Sequence, residues 1–140
     1  MFECQQKSAA AEFLTVAATA YYTVFELSKL RVADSVLVHF VAGGVGSMLC
    51  QMLQNSGCNV VGVVGATHKV KTAKYLGCSS VIHKSIHNVW EEAKKVAPNG
   101  FAAIFDTDGV KTLKDSYNHI KYGGCLISYD DVIKQGCHSF

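Results

Sequence analysis

The stretch SVLVHFVAGGVGSMLCQML, residues 35–53, constrains the fold more than any other part of the chain. Five of its first seven residues are apolar, as in a short buried strand. Glycines follow at 43, 44 and 46, and Val45, Met48, Leu49, Met52 and Leu53 then repeat on one face of a helix. Strand, tight glycine turn and helix together form a cradle for a pyrophosphate. Gly43 lets the backbone turn and approach the phosphates, and Gly46 lets the helix pack close to its strand. The free N–H groups of the first helical turn, at Gly44 and Val45 among others, face the anion with the helix dipole behind them. The spacing departs from the full G-x-G-x-x-G, because Val41 stands at the first glycine position. Read alone, the stretch is equally an ordinary tight strand-to-helix turn.

The chain has 140 residues, one domain's worth, and is 49% hydrophobic with 17% charged residues, which places it among globular rather than disordered chains. A net charge of +2 gives no electrostatic case for nucleic acid or a membrane surface. The one long apolar run, from Ala9 to Phe25, carries Glu12 and three threonines and is short for a transmembrane span. No basic segment precedes it as in a signal peptide. The six cysteines, at 4, 50, 58, 78, 125 and 137, show neither CxxC nor metal-ligand spacing. Reduced thiols in a cytoplasmic protein are the reading preferred over a disulfide framework.

Ser8 is placed to cap a helical lead-in beginning at Ala9, so that residues 1–34 pack on the sheet that follows. The central helix stops at Gly57, and Val60–Val64 is the second strand. Thr67 is placed to cap a helix closed by Gly77, ahead of a short third strand, Ser80–Ile82. Asn88 with Glu91 forms a capping-box pattern before a helix ended by Pro98-Asn99-Gly100. Phe101–Phe105 is the fourth strand. Leu113, Ser116, Tyr117 and Ile120 mark another helix, and Gly123-Gly124 turns into a fifth strand, Cys125–Tyr129. Residues 131–140 show no period and are expected to form a loose tail.

Strands alternating with helices of about ten residues imply a parallel sheet with right-handed crossovers. The expectation is a doubly wound α/β domain of the Rossmann type over residues 35–130. It has about five strands in order 3-2-1-4-5 and helices on both faces. The switch point then lies between strands 1 and 4, where the glycine turn and the segment Asp106–Gly109 both end strands; ligands of open α/β sheets bind in that crevice.

Several short patterns recur together and in order: Ala9-Ala10-Ala11, Thr19-Ala20-Tyr21, Val36-Leu37-Val38-His39, Ala42-Gly43-Gly44-Val45-Gly46, Gly62 and Gly65 followed by Lys69, Leu76-Gly77, Val81-Ile82 and Phe105-Asp106. The combination resembles the cofactor domain of the medium-chain dehydrogenase/reductase superfamily. The nearest branch is the zinc-independent quinone oxidoreductase group, with its synaptic-vesicle membrane protein relatives. An alanine commonly takes the place of Val41 there. The resemblance covers about residues 8–130. It implies NADPH-dependent reduction of quinones or other activated alkenes and carbonyls. The family's N-terminal catalytic domain and sixth sheet strand have no counterpart in these 140 residues. The chain is therefore expected to be an excised cofactor domain or a naturally shortened protein, paired with a missing catalytic domain or a partner chain.

NAD sites place an acid at the end of the second strand to accept from the ribose 2′-OH. Here that strand runs into Gly65-Ala66-Thr67, without one. The resemblance puts Lys69 on the 2′-phosphate of NADPH and replaces the family's tyrosine after the third strand with Lys84. Two cations and the Thr67 hydroxyl favour a phosphate monoester; the bland alternative is that both are solvated surface lysines. The resemblance also places Thr19, Thr107 and Tyr129 near the nicotinamide end. Asp106 reads as a loop-positioning carboxylate and His39 as a core histidine. No zinc site, nucleophile elbow or P-loop lysine is present, and no catalytic residue is assigned.

The chain is thus expected to be the NADPH-binding part of a quinone oxidoreductase-like reductase, inactive alone. Two alternatives stand beside it: a non-catalytic dinucleotide-binding or partner-binding module, and an enoylreductase fragment of a polyketide synthase. An open sheet edge after the fifth strand makes a homodimer a further expectation.

Overall fold

The computed structural model describes residues 18, 20–22, 24, 30–106 and 110–128. The expected cap at Ser8, the 131–140 tail and the site residues Thr19, Thr107 and Tyr129 lie outside these. Among the described residues from Ser35 on, five strands and four helices alternate: β1 (Ser35–His39), α1 (Gly44–Asn55), β2 (Asn59–Val64), α2 (Thr67–Tyr75), β3 (Ser80–His83), α3 (Val89–Val96), β4 (Phe101–Asp106), α4 (Val110–Asn118) and β5 (Ile120–Ser128). All pairings are parallel and the order is β3-β2-β1-β4-β5, as the alternation of elements predicts.

The pleat sorts the central strands onto two faces. Val36 and Val38 of β1 and Val60 and Val64 of β2 face one side, with Ala103 and Phe105 of β4. There they meet Val45, Leu49, Cys50 and Leu53 of α1 and Ala73 of α2; Ala20 and Val24 of the lead-in are buried in the same cluster. Leu37, Val61, Val63 and Ile104 face the other side and meet Ala93 and Ala97 at α3. Each fully buried leucine or valine contributes about 1.5–3 kcal/mol, so the strands are held chiefly by these two faces. Gly62 of β2 is required by packing. A Cβ there would lie 2.7 Å from Val41 Cγ1 and 2.8 Å from Cys78 Sγ.

Helix ends follow local chemistry. In α1 the Gly57 N–H donates to Gln54 and the Cys58 N–H to Leu53; α2 repeats this with Gly77 to Lys74 and Cys78 to Ala73. Both are the paired closing bonds that a left-handed glycine permits. Asn88 accepts from the N–H groups of Trp90 and Glu91, and α3 carries acids in its first turn and lysines in its last. That helix is electrostatically complete at both ends.

Two expectations are corrected near the C-terminal edge. Gly123 and Gly124 do not precede the last strand but lie inside it, because the Phe101 N–H already pairs with the His119 carbonyl before them. The ladder slips here, from Phe101 opposite Ile120 to Ala103 opposite Cys125. On α4 only Ser116 of the expected face is buried; Leu113 and Tyr117 stay exposed, beside Lys114 and Leu126 in a shallow cleft. Among the described residues, no helix is long and apolar enough to cross a membrane.

Candidate dinucleotide site

The glycine turn is built differently from its sequence pattern. Phe40, directly after β1, takes the left-handed conformation with φ of 53°. Gly43 does not need it, at φ −77°. The Phe40 carbonyl accepts from the Gly43 N–H at 2.9 Å, closing the turn, and the Val41 N–H donates to Val63 of β2 at 3.2 Å. Val41, at the first glycine position, is fully buried. Gly46 carries the close approach: a Cβ there would overlap the Phe40 carbonyl oxygen and lie 3.0 Å from Val41 Cα. A Cβ on Gly44 would meet nothing within 4 Å. The first bond of α1 runs from the Ser47 N–H to the Gly43 carbonyl, no side chain caps the helix, and no acid stands in its first turn. The N–H groups of Gly44, Val45 and Gly46 therefore have no hydrogen bond among the described residues and lie at the positive end of α1, where Gly44 borders open space while Val45 and Gly46 are buried.

The second half of the site stands where β2 and β3 end. Thr67 does not cap α2 as its sequence position suggests; Ala66 is the cap residue and makes no side-chain bond. The Thr67 hydroxyl instead meets His83 Nε2 at 3.2 Å. His83 Nδ1 accepts from the Ser85 N–H at 3.3 Å, so that nitrogen bears no proton and Nε2–H donates to Thr67. The Thr67 O–H is thereby left as a donor at the start of α2. Ser85 Oγ donates to the Gly65 carbonyl at 3.1 Å, tying the two strand ends together. Lys84 lies across them, with Cε 3.2 Å from the place a Gly65 Cβ would take and Nζ 4.2 Å from the centre of the Phe40 ring. Lys69 is exposed in the first turn of α2, which also lacks an acid. Among the described residues the ion pairs are Lys95–Glu92 and Lys121–Asp34, so neither Lys69 nor Lys84 is neutralised by a carboxylate.

The structure thus gathers Gly43–Gly46, Gly65, Thr67 and Lys84 at one edge, with Lys69 on the adjoining turn. Phe40, His83 and Ser85 join them without any signal in the sequence, since a left-handed phenylalanine and a histidine orienting a threonine have no characteristic spacing. Across the switch point, the buried Asp106 carboxylate accepts from Thr112 Oγ1 at 2.6 Å and Ser116 Oγ at 3.0 Å. Ser116 Oγ lies 3.4 Å from His39 Nε2, and the His39 ring sits edge-on to Trp90. This buried chain ties the ends of β1 and β4 to α4. Among the described residues, no group of three or more His, Cys, Asp or Glu side chains converges as a metal site.

The parallel order β3-β2-β1-β4-β5, with the glycine turn at the end of β1 beside the switch point, defines a Rossmann-type doubly wound α/β fold. Residues 44–129 match the sequence model of the zinc-binding dehydrogenase family. The chain belongs to that family, in the medium-chain dehydrogenase/reductase superfamily, as a quinone oxidoreductase-like member. It is similar to prostaglandin reductase 1 of Oryctolagus cuniculus, 36% identical over 92 residues that make up 65% of this chain and 26% of that protein. A probable quinone oxidoreductase of Schizosaccharomyces pombe is 30% identical over 123 residues, 81% of this chain and 34% of that one. The crystal structure of Escherichia coli quinone oxidoreductase complexed with NADPH superposes with a TM-score of 0.76 at 25% identity, covering 81% of this chain and 35% of that one. The chain spans between about a quarter and about a third of the length of the curated relatives it matches, from 23% to 36%.

Proposed function

We propose that this chain binds NADPH and forms the cofactor half of a reductase acting on quinones, enones or related activated acceptors. The observation that carries the reading is the contrast of α1 and α2 with α3. Helix α3 has an asparagine cap and two acids in its first turn, whereas α1 and α2 start beside the candidate site with neither. Their dipoles favour negative charge there. The open space over Gly44 suits a pyrophosphate, and the Gly44, Val45 and Gly46 N–H groups would bind it. Lys69, Lys84 and the outward Thr67 hydroxyl would take the 2′-phosphate. An acid that would accept from a 2′-OH is missing from the end of β2, which supports NADPH over NADH.

When bound, NADPH supplies the hydride. The residues of this chain bind and orient the adenosine and phosphate half, while Thr19, Thr107 and Tyr129 are assigned to the nicotinamide end by family position. Holding the acceptor in near-attack geometry, which supplies a large share of rate enhancement, is assigned to a further domain or partner chain. Fluorescence titration with NADPH and NADH tests the cofactor reading: tighter binding of NADPH is expected, and equal affinities overturn the preference. An NADPH-oxidation assay over a quinone panel tests the division of labour. The 140-residue chain alone is expected not to turn over, and steady turnover by it would show that the reaction site is already complete here.

A further inference from the structure

Twenty-eight positions apart in the sequence, the sulfurs of Cys50 and Cys78 lie 3.3 Å from each other, within hydrogen-bond contact. Cys50 sits in the buried face of α1, and its sulfur also meets the Leu76 carbonyl at 3.6 Å. Cys78 sits in the closing bonds of α2, directly ahead of β3, where its N–H donates to Ala73. Neither backbone position is a loop that swings freely. Gly62 leaves the space in which the Cys78 sulfur lies. Cys58, by comparison, turns its sulfur to the Arg31 carbonyl.

We propose that Cys50 and Cys78 form an oxidisable dithiol, which a hydroperoxide converts to an intramolecular disulfide that joins α1 to the α2–β3 connection. The sulfurs need approach by only about 1.3 Å to reach the ~2.05 Å of a disulfide, a change within reach of small side-chain rotations. Cys78 is partly exposed, whereas Cys50 is buried. The shared hydrogen bond holds the Cys50 thiol below its ordinary value and the Cys78 thiol above it, so the first proton lost leaves a thiolate that the second S–H stabilises.

The chemistry balances in two steps. One sulfur, as thiolate, attacks the peroxide; an S–O bond forms, the O–O bond breaks, and the released alkoxide or hydroxide takes up the proton that the thiol gave up. The second sulfur then attacks the sulfenic sulfur; the S–S bond forms, the S–O bond breaks, and hydroxide leaves as water with the second thiol proton. Two electrons pass from the sulfurs to the peroxide. One hydroperoxide yields one disulfide, one alcohol (or water) and one water. The link encloses residues 51–77 and fixes the helix that carries the glycine turn against the segment leading to His83 and Lys84. It does not depend on the cofactor reading.

The test uses the full chain and its Cys58→Ala variant, treated with one equivalent of hydrogen peroxide. Trypsin cleavage after Arg31, Lys69, Lys74 and Lys84 places Cys50 and Cys78 on separate peptides, and Cys58→Ala leaves Cys50 the sole cysteine of its own. Loss of two thiols per chain is expected, with a Cys50–Cys78 cross-linked peptide that dithiothreitol releases and a melting temperature raised by several degrees. Cys78→Ser is expected to give no such peptide. Recovery of both peptides unlinked after peroxide, sulfinic acid on each separately, or a link from either to another cysteine overturns the proposal.

Discussion

The Lys84 ammonium lies 4.2 Å from the centre of the Phe40 ring, joining the end of β3 to the turn after β1. The contact is worth about 0.5–1 kcal/mol at an exposed site. It is made by a phenylalanine whose backbone is left-handed, at φ 53°. For a non-glycine residue that conformation costs roughly 1–2 kcal/mol. Replacing Phe40 by glycine or by valine removes the ring in both cases, but only valine keeps the backbone cost. The valine variant is expected to be less stable than the glycine variant by about 1–2 kcal/mol in urea melts. Equal stabilities would mean that the turn is not left-handed at this position.

Lys69→Ala and Lys84→Ala are each expected to weaken NADPH binding more than NADH binding. A charge-assisted contact contributes about 1.5–3 kcal/mol, so the preference should narrow roughly tenfold or more for Lys69. For Lys84 the loss is smaller, because a lysine already placed over an aromatic ring gives up that contact to reach a phosphate. Fluorescence titrations of both cofactors measure the ratio. An unchanged ratio in both variants would remove the lysines from the site.

The glycines of the turn separate binding from folding. Gly46→Val drives a side chain into the Phe40 carbonyl, backbone that cannot step aside, and is expected to prevent a cooperative melt. Gly44→Ala points into open space and favours the helix, so it should fold at least as stably as the parent. The same methyl would occupy the space assigned to the pyrophosphate, and NADPH affinity should fall at least tenfold. A folded Gly44→Ala chain with unaltered affinity would place the phosphates elsewhere.

Burial, and then the nearby Asp34 carboxylate, push the Cys58 thiol above its ordinary value of 9.0. The unfolded chain therefore releases this proton at lower pH than the folded one. Stability from this group is complete below the ordinary thiol range and declines as pH rises through it towards the folded value. Melting temperatures of the parent should drop more steeply between pH 8 and 10, on the order of the thiol range, than those of Cys58→Ala. The other thiols are common to both proteins, so parallel curves would show that Cys58 does not titrate differently on folding.

The strand order was legible because valine-rich runs such as Val36–Val38 and Val60–Val64 alternate with helical periods, and parallel connection leaves few arrangements. The acid-free end of β2 was legible for the same local reason. What sequence could not supply was determined by tertiary approach. Thr67 has the chemistry of a cap, but His83, brought alongside by the β2–β3 pairing, takes its hydroxyl. Gly123 and Gly124 read as a turn, yet the backbone partners offered by Phe101 and Ala103 extend β5 through them. The contact of Cys50 with Cys78 exists only because α1 and the end of α2 cover the same stretch of sheet, a relation that no spacing of 28 residues announces.

Val36 of β1 pairs with Val60 on one side and with Ala103 on the other. The first partner is close in the chain, while the second comes only after two further helices and β3. Loop closure must be met before the distant pairing returns any energy, which slows folding of parallel sheets. During synthesis, β1, α1 and β2 leave the ribosome with the second edge of β1 still bare, and it stays so until β4 emerges. That interval is when this chain is most exposed to pairing with a neighbour, and its folding yield should be more sensitive to the speed of translation between β2 and β4 than to that of any other segment.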